Sequence, residues 1–284
     1  MTRPQPTLLG VDLGGTNVRA GRVSLGLDAH AAMGLRDTCD EQAVFADLCA
    51  CIDRVLTAQV QAIGVGVPAL VDPLRGIVYS ATNIASWQEV PLKQLLEARY
   101  SLPAHVNNDA NCFALGEARF GQGQDSQYLV GLIIGTGLGA GIVAHGRLHA
   151  GAHCGAGEIG NLPFRGNKLE YFLGGPHFAR VYGVDGQTLF DQARQGDDFA
   201  LKAFADFGSD LGDAVKAILY AYDPDTIILG GAVAQAFPFF ETTLRNSLED
   251  FAFPQVLPSL RILPTQDAHM PILGAAALCL AGAG

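Results

Sequence analysis

The stretch Leu8–Arg19, LLGVDLGGTNVR, narrows the folds open to this chain more than any other. Its apolar run, Leu8-Leu9-Gly10-Val11, reads as a buried strand. The run ends in Asp12 and then Gly14-Gly15-Thr16-Asn17. Adjacent glycines permit positive φ and let a large anion approach the amides closely. Exposed amides in such a turn form an anion-binding concavity, and Thr16 and Asn17 add side-chain donors. An aspartate beside a phosphate needs a cation between them, a part that Mg²⁺ held through carboxylate and water can play. A plain Gly-Gly hairpin turn with a solvated aspartate fits the same residues.

A second stretch of the same kind favours the anion-binding reading. In Tyr128–Ala144, YLVGLIIGTGLGAGIVA, the strand Leu129–Ile134 enters Gly135-Thr136-Gly137 and leaves as the strand Ala140–Ala144. Two strand–Gly/Thr–strand units far apart in sequence suggest two half-sites closing on one phosphorylated ligand. A third glycine pair, Gly230-Gly231, follows the strand Thr226–Leu229. No GxxxxGK[ST] motif is present, and neither glycine turn fits GxGxxG between a strand and a helix.

Composition excludes several classes of function. Apolar residues make up 49% of the 284 and charged residues 16%, which suits a folded enzyme with a large core. The formal net charge is −10 with no basic run, which argues against nucleic acid as a partner. The six cysteines are scattered, and no secretory signal precedes Leu8, so a reducing cytoplasm is expected. Tyr128–Ala144 is too short and too rich in glycine to span a membrane, and Met270–Gly284 is also too short.

Apolar periodicity predicts helices over 41–60, 90–100, 110–120, 196–222, 237–251 and 271–280, and further strands over 18–23, 62–67, 76–80, 104–106 and 260–263. This alternation argues for an α/β protein with two lobes. The polar cluster Asn107-Asn108-Asp109-Ala110-Asn111 falls just past a strand end, where α/β proteins bind ligands. Asn and Asp there can equally cap the following helix. Asn83 stands in a segment that ends at Trp87, the only tryptophan, which can serve simply as a loop anchor. His145, His149 and His153 are spaced by four, as metal ligands on a helix would be, but Gly146 and Gly151 interrupt them.

These motifs together resemble the ROK family of sugar kinases, within the actin and hexokinase superfamily, from Leu8 to about Ala277. The resemblance implies a two-lobed actin-like ATPase (ribonuclease H-like) fold with a ligand cleft between the lobes. It divides the chain into an N-terminal lobe of residues 1–107 plus 271–284 and a C-terminal lobe of 108–270. The implied reaction is ATP-dependent phosphorylation of a hexose, first of all the 6-hydroxyl of glucose. Alternatives are an N-acetylhexosamine kinase, a fructokinase or mannokinase, and a non-catalytic sugar-binding regulator. A repressor of the same family needs a helix-turn-helix ahead of its first strand, and only seven residues precede Leu8. The resemblance also implies a homodimer.

Matching the family motifs residue by residue, Asp109 is the general base and Asn108 a sugar ligand, from N-D-A-N. Asn83 faces the sugar, from the Asn–Leu–x–x–Trp segment. GAGEIG supplies Glu158, and Asn161 stands where the family has a sugar-contacting His. Leu169-Glu170 supplies Glu170. Asp12, Gly14, Gly15, Thr16, Asn17, Gly135, Thr136, Gly137, Gly230 and Gly231 form the ATP site, with Asp12 orienting Mg²⁺ or its water. The family usually continues with CxCGxxGCxE, which with that His makes a zinc site. This chain has LPFRGNKLEYFLGG instead, without cysteine, so no structural zinc is expected. Packing of Leu162, Pro163, Phe164, Leu169, Tyr171 and Phe172 is expected to hold Glu170 in its place.

Overall fold

The computed structural model describes residues 6–280. β1 (Thr7–Leu13), β2 (Asn17–Val23) and β3 (Leu27–Gly34) form an antiparallel meander. Helix α1 (Glu41–Asp53) then crosses to β4 (Val60–Val67), which runs parallel to β1. A small antiparallel sheet of β5 (Leu70–Asp72), β6 (Ile77–Tyr79) and β7 (Glu89–Val90) comes next. Helix α2 (Leu92–Tyr100) leads into β8 (Ala104–Asn108), parallel to β4. The main sheet has the order β3-β2-β1-β4-β8.

After helix α3 (Asp109–Phe120) the same plan is built again. β9 (Tyr128–Ile134), β10 (Leu138–Ala144) and β11 (Arg147–Leu148) form the meander. A hairpin of β12 (Pro163–Phe164) and β13 (Asn167–Lys168) follows. Then come α4 (Leu169–Leu173), α5 (Pro176–Tyr182), α6 (Gly186–Arg194) and the long α7 (Asp198–Tyr222). β14 (Thr226–Gly230) lies parallel to β9, and α8 (Phe237–Asn246) crosses to β15 (Arg261–Pro264). This sheet has the order β11-β10-β9-β14-β15, the counterpart of the first. The two glycine turns of the sequence are therefore the equivalent first hairpins of two like-built lobes.

Each lobe has its own apolar core. One gathers β1, β4, α1 and the Trp87 segment; the other gathers β9, β14, α7 and α8. A third core lies between the sheets, where Phe113 and Ala114 of α3 meet Leu273 and Ala276 of α9 (Met270–Ala277). Helix α9 rests on β1 and β4, while α3 rests on β9 and β10. The two helices cross at Gly116 and Gly274, whose missing side chains leave room for each other's backbone.

Most predicted elements are present, with shifted ends. α1 stops at Asp53, not at residue 60, because the chain folds back there onto Ile52 O and β4 begins at Val60. α8 ends at Asn246, not at 251, and α9 covers 270–277. β3, the β12–β13 hairpin and α4–α6 had no counterpart in the periodicity. β3 is an edge strand in which half-buried Leu27, Ala29, Ala31 and Met33 alternate with exposed residues, and it lacks the Val/Ile signal of a central strand.

Candidate active site

Candidate residues gather at the carboxyl ends of the parallel strands, where α/β sheets bind ligands. β1, β4 and β8 are in register there. Asp12 pairs with Gly66, and Gly66 in turn with Asn107. Gly66 packs against Asp109 and Cys112 at the start of α3.

The first glycine turn is closed by a hydrogen bond from Gly14 N–H to Asn17 O, 2.8 Å. Asn17 Nδ2 donates to Thr16 Oγ1 at 2.9 Å, and both residues are exposed. Asn83, in the left-handed region with φ 64°, lies against Gly15. Trp87, four residues on, is fully buried in the N-terminal core and anchors this segment.

Asp12 is held across the hairpin by Arg19. The guanidinium donates to Oδ2 from Nε at 2.9 Å and Nη2 at 2.5 Å. Among the described residues no donor reaches Asp12 Oδ1. With the Asp109 carboxyl close enough to feel its charge, that open carboxylate oxygen is a donor set that suits a hydrated divalent cation. Periodicity did not single out Arg19. The signal was the turn length, because a turn closed between Gly14 and Asn17 puts residues 12 and 19 opposite each other.

The second turn is closed by Gly135 N–H to Gly137 O at 3.0 Å, and Gly175 N–H donates to Gly135 O at 2.7 Å. Glu170 on α4 packs against Gly137 and accepts from Leu138 N–H through Oε2 at 3.1 Å. The expected sugar ligand Glu170 thus also braces the expected phosphate turn. Gly231, with φ 83°, sits against Ile134 O at the end of β9, so the third glycine pair adjoins the second turn.

Asn108 caps α3: its Oδ1 accepts from Ala110 N–H at 2.9 Å and Asn111 N–H at 3.3 Å. Its Nδ2 donates to Ala69 O at 3.2 Å, which leaves one hydrogen for a ligand. Asn107 Oδ1 accepts from Asn108 N–H and Asn111 Nδ2. Asp109 occupies the first helical position and accepts from Ala110 N–H at 2.9 Å. Burial, then the charge of Asp12, and less strongly that of Glu158, push its carboxyl up to about 7; the hydrogen bond from Ala110 opposes them.

Glu158 and Asn161 bracket a single 3-10 turn, with Asn161 Nδ2 donating to Glu158 Oε2 at 3.0 Å. The β12–β13 hairpin is not held by the apolar residues alone. Leu169 is buried and Phe164 packs on Phe172, whereas Leu162 and Tyr171 are exposed. Arg165 at the hairpin tip bonds Asp210 and Asp213 of α7 instead. His145 pairs with the Tyr128 hydroxyl at 2.7 Å, and no group of three or more metal-ligating side chains converges among the described residues.

Across this frame, the model of the ROK family matches residues 8–281. The chain belongs to the ROK family. This ROK chain is 30% identical to a glucokinase of Thermotoga maritima, with 97% of this chain and 98% of that one covered. It is 26% identical to a xylose repressor of Bacillus spizizenii over 77% of this chain and 60% of that one. The structure of a ROK family glucokinase from Streptomyces griseus in complex with glucose and AMPPNP superimposes with a TM-score of 0.83. That structure is 27% identical and covers 96% of this chain and 98% of its own. This ROK chain accordingly has the two-lobed actin-like sugar-kinase fold.

Proposed function

We propose that this protein is an ATP-dependent hexose kinase that transfers the γ-phosphoryl group of MgATP to the 6-hydroxyl of glucose. The observation that carries this reading is the setting of Asp109. Its carboxyl stands at the end of β8 within the charge fields of Asp12 and Glu158, with a proton affinity close to neutral pH. A general base works best when its pKa lies near the operating pH. The glucokinase relative and the glucose- and AMPPNP-bound neighbour support the same reading.

Phosphoryl transfer asks of a protein positioning and charge neutralisation more than covalent chemistry. The amides of Gly14–Asn17 and Gly135–Gly137 hold the phosphates, and Gly230-Gly231 borders the adenosine side. Asp12 is the residue that orients Mg²⁺ or its water, and the bound cation supplies neutralisation of phosphate charge. Asp109 accepts the proton of the attacking hydroxyl. Asn83, Asn108, Glu158, Asn161 and Glu170 take the remaining hydroxyls, since amides and carboxylates pair with adjacent OH groups. Arg19 holds one oxygen of the Asp12 carboxylate and so fixes its orientation. The family resemblance supports a homodimer, the scattered cysteines support a reducing cytoplasm, and the departure of residues 161–170 from the family's zinc motif supports the absence of structural zinc.

The deciding experiment is coupled ADP release with and without glucose, N-acetylglucosamine, N-acetylmannosamine, mannose and fructose. Glucose is expected to give the largest increase. A different preferred sugar replaces the substrate. No increase with any sugar overturns the kinase reading in favour of a sugar-binding regulator, a role consistent with the likeness to a xylose repressor.

A further inference from the structure

Five residues around the sugar-facing set form one unbroken path of polar contacts. Glu158 Oε2 accepts from Asn161 Nδ2 at 3.0 Å. Asn161 Oδ1 accepts from Lys168 Nζ at 3.4 Å. The same ammonium lies 2.8 Å from Glu170 Oε1, and Glu170 Oε2 accepts from Leu138 N–H. The path runs from the Glu158 loop, through β13, to the second glycine turn. Lys168 is its one cation, set between an amide oxygen and a carboxylate.

An amide side chain can sit either way round unless its neighbours choose. Here a carboxylate takes the NH₂ of Asn161 and an ammonium donates to its oxygen, which fixes one orientation. One N–H and one lone pair remain for a ligand hydroxyl. Lys168 is itself placed by the hairpin, whose tip Arg165 bonds Asp210 Oδ1 at 2.5 Å and Asp213 Oδ2 at 3.1 Å and lies over the Phe164 ring.

We propose that Lys168 is a positioning residue of the sugar subsite, fixing the amide of Asn161 and the carboxylate of Glu170 in the arrangement that accepts the sugar. This rests on the hexose-kinase reading above. Without the ammonium, the Asn161 amide is held by Glu158 alone, and Glu158 and Glu170 lose the cation between them. Both must then be ordered on binding, which weakens affinity. The phosphate turns and Asp109 keep their own contacts, so the chemical step changes little. Arginine keeps the charge and reaches the same oxygens, whereas methionine keeps only the apolar stem.

The test compares wild type, Lys168→Met and Lys168→Arg as full chains. It uses steady-state kinetics and calorimetric sugar binding with glucose, or with whichever hexose of the panel gives most ADP. Lys168→Met is expected to raise the sugar KM and Kd about tenfold, the loss typical of one hydrogen bond to a charged group. Its kcat and ATP KM stay within about twofold of wild type, and Lys168→Arg within about threefold in every constant. An unchanged sugar Kd in Lys168→Met, equal losses in both variants, or a fall in kcat at constant Kd overturns the proposal. A wild type that binds sugar but releases no ADP overturns the kinase reading, and Lys168 is then judged on Kd alone. A wild type that binds none of the sugars overturns both.

Discussion

Asn83 packs directly on Gly15, so that the residue expected to face the sugar and the turn expected to hold phosphate share one surface. A Cβ built on Gly15 falls 2.5 Å from Asn83 Cβ, well inside contact distance. The close approach joins two segments expected to face the substrates from distant parts of the chain, and it makes Gly15 the sharpest probe of the proposed site.

Gly15→Ala is expected to force apart the turn and the Asn83 segment. Overpacking of this kind costs about 1–3 kcal/mol, and here it displaces both substrates' ligands. KM for ATP and for sugar should both rise. Gly26→Ala, in a turn with open space around the new methyl, is the control and should behave as wild type.

Asp109→Asn keeps shape and removes the base. Turnover is expected to fall by about 10²–10⁴-fold, the range for a general base, with sugar affinity changed far less. In the wild type, kcat/KM should climb as Asp109 loses its proton and level off above about pH 7, the value to which burial and the charges of Asp12 and Glu158 raise it. A profile already flat at pH 5 would place the base elsewhere.

The same shift predicts a stability effect of opposite sign to the activity effect. In the unfolded chain the carboxyl ionises near 3.8, and in the folded chain near 7. Between those values the folded protein holds the extra proton, so stability falls as pH rises through the window and the cost is complete above about 7. Asp109→Asn escapes that cost. Its Tm should exceed that of the wild type by about 2 °C or more at alkaline pH, and the gain should vanish near pH 4.

Arg165 ties the β12–β13 hairpin to α7 through two aspartates, with its guanidinium half in solvent. Arg165→Met is therefore expected to cost only about 0.5–1 kcal/mol, seen as a Tm lower by about 1–3 °C. The difference should narrow at high ionic strength, because exposed pairs are screened. A loss that salt does not change would assign the effect to packing over Phe164 instead.

The segment from Asn161 to Glu170 supplies amides, a lysine and an arginine where a tetrahedral zinc site needs thiolates and imidazole. Elemental analysis of the purified protein should find no stoichiometric zinc. A zinc-selective chelator should leave activity unchanged once Mg²⁺ is restored. Stoichiometric zinc with chelator inactivation would direct attention to His145, His149, His153 and Cys154.

The sequence by itself determined the local pieces. The runs entering Asp12 and Gly135 declare strands because apolar residues before a glycine turn leave few other conformations. The long α7 shows itself because one apolar stripe recurs along it, and Asn108 marks a helix start because its side chain satisfies the free amides there. The motifs also named the candidate site residues, since each pairs a residue type with a fixed neighbourhood in the chain. Only the tertiary structure decided how these pieces act on one another. The proton affinity of Asp109 depends on burial and on charges at positions 12 and 158, which only packing of the lobes brings near. The bond of Arg165 to α7 and the place of Lys168 between Asn161 and Glu170 join polar residues that carry no periodic signal. Such contacts leave little trace in a single sequence because exposed charges satisfy themselves in water almost as well as in a pair. Only the folded geometry decides which partner each one meets.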